Sequence, residues 1–334
     1  MIGWLKRLIA GAPTVRPPVP VLTDALDAEP VIVSSGAVPA PLHAALIDRH
    51  FYALLADGAQ GEGSAALERA ILDEMARLVQ HPYSAAGLVP RVPAVIPQLL
   101  ASLRDDTLSG ADLARQVAQD VVLVAEVIRE ANSPYYRPAT PVKTIESAVM
   151  LLGLNGLRML LARVAFRPVI GIQSGRFARQ VAPLVWTQSE QCALAASILA
   201  GGLDANAFDA YLAGLMHNIG LIVAFRVIDR IMPAGGRALS AATLPDSPAF
   251  CASLLEQARA LSSTIAAEWN FPAPVVSAIA TPRATPLGLA LALGDRMAKL
   301  RMLVDGGVFA REAALAGLDT SLWRCFDQLQ PRDA

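Results

Sequence analysis

The run from Ala118 to Gly156, AQDVVLVAEVIREANSPYYRPATPVKTIESAVMLLGLNG, constrains this chain more than any other, because it holds three helix punctuation marks and two apolar faces without a break. Asp120 stands before a run in which Leu123, Val127 and Glu130 share one side and Val124, Ile128 and Ala131 the neighbouring side, the stripe of a buried helix. That helix ends at Asn132-Ser133-Pro134, since proline disfavours the helical region for the residue before it and asparagine tolerates a left-handed exit. A link with Pro134, Pro138 and Pro141 connects it to the next. Thr144 caps a second helix with Ile145, Val149 and Leu152 on one face, and Gly153 suits its exit. Asn155 opens a third, which carries Leu157, Leu160, Leu161 and Val164.

The same spacing recurs along the chain and makes it all-α. No period-two alternation is long enough for a parallel sheet, and no GxSxG, P-loop or strand-borne GxGxxG is found. A hydrophobic share of 54% and a mean hydropathy of +0.43 raise the question of a membrane span. The longest charge-free stretch in the apolar middle, Ala210 to Phe225, falls short of the roughly 18–20 residues a span needs and contains His217 and Asn218. No transmembrane segment is expected. A net charge of −1 and the lack of a Lys/Arg run argue against nucleic acid as a partner. Cys192, Cys251 and Cys325 are far apart within helical patterns, and no CxxC or CxxH pair exists, which points to a cytoplasmic chain without a structural zinc site.

In order, residues 1–40 read as a tail and linker, with a short amphipathic start (Met1 to Ile9) and then a proline-rich stretch. Residues 41–87 read as a helical hairpin, either packed on the next domain or presenting a surface to a partner. Its His43, His50 and His81 lack metal-ligand spacing and read as exposed. Residues 88–167 then form a bundle of about five short helices, opening with a stripe from Val92 to Leu103 and a helix started by Ser109 or Asp112. The pattern breaks from Pro168 to Arg176. Helices at about 177–199, 250–269 and 286–303 come next, then a short pair in the C-terminal extension, residues 301–334.

Three segments together, LVPRVPAVIPQLLASLRDD, ANSPYY and TIESAVMLLGLNGLR, resemble the HDOD family, the HD-related output domain. LVWTQSEQCALAASILA and AYLAGLMHNIGLIV are similar to its second half. The resemblance spans 88–300, in two helical halves, 88–167 and 168–300. HD-type phosphohydrolases hold a metal on a histidine, an adjacent His-Asp pair and a late aspartate. The resemblance implies that Gln188 stands at the first histidine position, His217-Asn218 at the pair, and Asp295 at the late aspartate. Two amides in place of an imidazole and a carboxylate make poor metal ligands, so no metal and no cofactor is expected. Gln188, His217, Asn218 and Asp295 are expected to form a buried hydrogen-bonded network in a vestigial pocket.

Asp120, Asn132 and Arg158 are the remaining polar candidates. They either line a ligand or partner groove between the halves or act structurally, the first two as helix caps and Arg158 as a solvated charge. The resemblance implies a bacterial signalling or regulatory protein, not an enzyme, that works through contacts with other signalling proteins. The alternatives are a small-nucleotide sensor using the vestigial pocket and, third, a metal-dependent phosphohydrolase.

Overall fold

The computed structural model describes residues 42–56, 64–82, 87–90, 102–103, 109–118, 121–132, 138–171, 175–232 and 244–329. The expected tail and linker, most of the helix from Val92, Asp120 and Gly235-Gly236 lie outside the described residues. Thirteen helices are found among those residues: α1 Ala44–Ala56, α2 Ala65–Gln80, α3 Gly110–Ala118, α4 Val121–Ala131, α5 Ile145–Gly171, α6 Arg176–Ala200, α7 Ala207–Met216, α8 Ile219–Ile231, α9 Pro248–Glu268, α10 Ala273–Ala280, α11 Pro286–Asp305, α12 Arg311–Leu315 and α13 Thr320–Gln328. No strand occurs among them, and the protein is all-α.

Local chemistry sets most of the starts. Ser64, Ser109, Thr144, Asn206, Ser247, Thr285 and Asp319 each accept a backbone N–H from the first turn with a side-chain oxygen. Ser109 also receives a return contact, its own N–H donating to Asp112 Oδ2 at 3.1 Å, so the two residues close one capping box. Gly153 has φ 67° and divides α5 into the two helical runs that the sequence predicts. Asn132 does more than end α4. Its amide donates to Ile128 O (2.8 Å) and Val142 O (2.7 Å) and accepts from Val142 N (2.7 Å), which clasps the two ends of the proline-rich link together.

One expectation needs correction. Helix α5 runs through Pro168 to Gly171 and does not break at Pro168. Helix α10 was not anticipated, because the eight residues behind Pro272 are apolar except for Ser277 and so show no polar face against which a stripe could be read; in the fold Val275, Ala278 and Ile279 are buried. Two helical stretches, Ile145–Arg167 and Ala207–Ile231, are long and apolar enough to cross a membrane. The second is 94% buried within the protein, as a core helix pair would be. The first is 39% buried and is interrupted at Gly153, with Met150 and Leu151 exposed.

Helix α6 is the axis of the second half, contacting α7, α8, α11, α1 and α13. Glycines permit this closeness: a Cβ on Gly214 of α7 would lie 2.4 Å from Ala193 Cα, and one on Gly294 of α11 would lie 2.7 Å from Ala196 N. The hairpin α1–α2 shares this core. Phe51, Tyr52 and Leu55 are fully buried with Phe225 and Phe250, and the Tyr52 hydroxyl donates to Pro245 O at 2.8 Å. Of the hairpin's two expected roles, packing on the later helices is the one observed. A second apolar cluster joins Ile47 of α1, Leu199 of α6 and Leu300 of α11 to Leu322 and Phe326 of α13.

The first helical half is joined to the second by charge. The Arg163 guanidinium of α5 bridges Glu130 of α4 and Glu190 of α6, all three largely buried. Removing one member of such a group leaves a buried charge uncompensated, at a cost of about 3–5 kcal/mol.

Candidate functional site

The four residues predicted to lie together do so. Gln188 is carried by the middle of α6, and its side chain is fully buried. His217 and Asn218 form the two-residue junction between α7 and α8, and Asp295 sits immediately after Gly294 on α11. The glycine contacts of α6 with α7 and α11 bring the three elements to hydrogen-bonding range.

Asp295 is the centre of the network. Its Oδ1 accepts from Gln188 Nε2 at 2.7 Å and faces His217 Nε2 at 3.2 Å. Its Oδ2 accepts from Lys299 Nζ at 2.8 Å. Gln188 uses its other end too, accepting from Asn218 Nδ2 with Oε1. His217 Nδ1 lies 2.7 Å from Gly214 O. A carbonyl only accepts, so Nδ1 carries a proton and Nε2 is the atom turned toward Asp295.

Lys299 is the residue that sequence reasoning missed. It follows Asp295 by four positions, so the pair meets on one face of α11, and that i,i+4 spacing was the legible signal. Its ammonium is buried, reaches Asp48 Oδ1 of α1 at 2.7 Å, and lies 5.3 Å from the centre of the Phe51 ring. Burial alone would raise the Asp295 carboxyl, but Lys299 and the His217 contact outweigh it and hold that carboxyl well below the usual range. Burial would likewise depress Lys299, and the carboxylates of Asp295 and then Asp48 more than compensate.

Cys192 completes the site from α6. Its sulfur, a His217 ring nitrogen and an Asp295 oxygen lie within 4.8 Å of one another. Burial, with the Asp295 charge second, pushes its thiol well above the ordinary value. Below the junction, Gly220 N donates to Ser262 Oγ at 2.9 Å, and Ser262 donates on to Ala258 O at 2.9 Å, so these helical positions are occupied by packing chemistry.

The residues fit a hydrolytic metal poorly. Gln188 and Asn218 hydrogen-bond each other, and both Asp295 oxygens already receive donors, one of them a cation. A divalent ion there would meet neutral amides and an ammonium where it needs charged oxygen or nitrogen ligands.

The other candidates lie on the first helical half. Asn132 has its amide committed to backbone. Arg158 is 5% exposed and not a solvated charge: it lies three and four residues before Leu161 and Ala162, on the buried side of α5. Asp120 is outside the described residues. His43 and His81 are exposed as expected, but His50 is partly buried, edge-on to Phe309 at 5.0 Å between ring centres.

Helices packed in this way around a His-Asn junction and a later aspartate define an all-α domain of the HD-related class. More particularly, the chain belongs to the HDOD domain family, whose model matches residues 89–284. Gln188, His217 and Asn218 fall inside that span, whereas Asp295 and Lys299 lie beyond it.

Two solved structures share the fold. An HDOD domain protein of unknown function from Geobacter sulfurreducens superposes with a TM-score of 0.52 at 20% identity, covering 77% of this chain and 94% of that one. A Shewanella amazonensis SB2B protein described as a candidate metal-dependent phosphohydrolase gives 0.52 at 18% identity, covering 79% and 98%. An uncharacterized protein of Treponema pallidum (strain Nichols) is 24% identical over 195 residues, 57% of this chain. The chain spans 37% of the length of that relative.

Proposed function

We propose that this protein is a regulatory member of its family, acting in signal transduction through contacts with other proteins and without hydrolytic chemistry at the Gln188–His217–Asn218–Asp295 site. One observation carries the reading: the only carboxylate among those four residues is saturated by protein donors, including the Lys299 ammonium. A hydrolytic centre needs that carboxylate free to hold a metal and charge-bearing ligands beside it. The buried amides of Gln188 and Asn218 instead satisfy each other, as a structural network requires.

The test is hydrolysis of phosphomonoesters, phosphodiesters and cyclic dinucleotides by the purified chain, supplied in turn with manganese, iron(II), magnesium and zinc. The expected result is no turnover above that of the His217→Ala variant. Metal-dependent turnover that this substitution abolishes would establish a phosphohydrolase and end the regulatory reading.

The contact mode is tested by capturing the tagged full chain's partners from its native cells and rebuilding the complex from purified components. A deletion of the hairpin is the wrong control, because Phe51, Tyr52 and Leu55 belong to the common core. If no complex can be rebuilt and a nucleotide raises the melting temperature, the protein is a small-nucleotide sensor.

A further inference from the structure

The charged contact between the two helical halves has two arms with different reach. Arg163 of α5 donates through a terminal nitrogen to Glu130 of α4, which lies in the same half, and through Nε to Glu190 of α6, which lies in the other. The side chains of Arg163, Glu130 and Glu190 are 10%, 10% and 14% exposed, so the triad sits inside the junction and not on its rim. Burial alone would make the guanidinium easier to deprotonate, but Glu190 and then Glu130 together outweigh it and hold the cation.

Around the triad the junction is apolar. Leu160, Leu161 and Phe166 of α5 are buried, Phe166 meets Phe271 at 5.5 Å between ring centres, and α5 packs on both α6 and α7. Apolar contacts of this kind are non-directional, and they favour burial without fixing a register. A guanidinium is the opposite, since its planar fork pairs with carboxylates only along set directions. Stability does not explain three buried charges either: desolvation offsets most of their Coulomb gain, and well-packed apolar residues in their place are often neutral or stabilising. What such a group supplies is a choice among packings that apolar contacts leave close in energy.

We propose that Arg163, oriented by Glu130 from within its own half, is a register lock on Glu190. The lock selects one seating of the first half against the second, and its release lets the first half shift as a unit without unfolding. Glu190 follows Gln188 by two positions on α6, so the locked helix is the one that carries the candidate site. The fold thereby holds a two-state element of the kind that a partner's contact can bias. The lock goes beyond the regulatory reading, which stands or falls on phosphoester turnover and is untouched by the result below.

The test is the distance between two nitroxide labels in the full chain, measured by double electron–electron resonance on cysteines introduced as Asn155→Cys of α5 and Glu256→Cys of α9, both exposed positions. The native cysteines are buried and stay unlabelled. The labelled chain with its triad intact is expected to give one narrow distance. Glu190→Met and Glu130→Met each strand one arm of Arg163 and are matched in cost, but only Glu190→Met cuts the link between the halves. It is expected to broaden or split the distribution, while Glu130→Met keeps it narrow. The triple change Glu130→Met/Arg163→Met/Glu190→Met leaves no charge to strand, and it carries the test if a single variant does not fold. It is expected to keep its helix content in far-ultraviolet circular dichroism and a urea midpoint no lower than wild type, yet to give the broad distribution. A narrow distribution in the folded triple variant, or the same distribution in both single variants, would overturn the lock, as would a broad one with the triad intact. Failure of the triple variant to fold would make the triad a stability element and overturn the lock as well.

Discussion

Asp229, near the end of α8, controls the start of the helix on which Gln188 rides. Its Oδ1 accepts from Arg176 N and Phe177 N and its Oδ2 from Ala178 N, all at 2.9 Å, across more than fifty residues of sequence. The N-cap residue itself, Gly175, supplies no side-chain cap; it stands at φ 104°, and a Cβ there would lie 2.2 Å from Asp229 Oδ2. Changing Asp229 to alanine strands three donors. Arg176 N is exposed and recovers water, while Phe177 and Ala178 are buried residues and recover less. Loss of the cap costs about 1–2 kcal/mol, and loss of a negative charge at the positive end of the helix dipole about 0.3–1 kcal/mol more.

The expected destabilisation is therefore about 1.3–3 kcal/mol, seen in urea as a midpoint about 0.5–1 M lower at unchanged slope. Asp229→Asn keeps one acceptor oxygen and is expected to lose about half as much. Arg230→Ala is the neighbouring control, expected within about 0.5 kcal/mol because its side chain is 58% exposed and only 3.9 Å from Glu74 at closest. If Asp229→Ala shifted the midpoint no more than Arg230→Ala does, the long-range cap would not be what holds α6.

Gly220→Ala places a Cβ 2.0 Å from Ala258 O and forces α8 away from α9, so a loss of about 3 kcal/mol is expected in the same urea experiment, and a neutral result would refute that close approach. The three cysteines are all buried, and burial pushes Cys251 up to about 11 and Cys325 up to about 12. Native protein at pH 8 is accordingly expected to react with Ellman's reagent only as fast as it unfolds, while denatured protein shows three thiols. Rapid labelling of any cysteine in the native state would contradict this burial.

Much of the architecture was legible because helices announce themselves locally. The Thr144 cap and the Gly153 interruption are set within a turn or two of sequence, where the chain's own φ preferences and side-chain acceptors decide the outcome. The C-terminal pair, α12 and α13, was legible for the same reason. Arg158 was misjudged because a charge in a first helical turn is ordinarily solvated, and nothing local reveals that this helix is covered on that side. Helix α10 escaped because it is apolar on nearly every side, so which face is buried is fixed only by the helices it packs against.

The sequence by itself determined an all-helical chain, since residue type and helical period are local properties, and it was the resemblance to the HDOD family that implied related positions for Gln188, His217, Asn218 and Asp295. Tertiary structure alone decided what those residues do. Close approaches at Gly214 and Gly294 bring α7 and α11 onto α6, and only then does Cys192 join the cluster. Folding of the hairpin onto α11 likewise brings Asp48 to Lys299, across 251 residues of chain. A buried charge is tolerated only where an opposite charge meets it, and which residue meets it is fixed by packing.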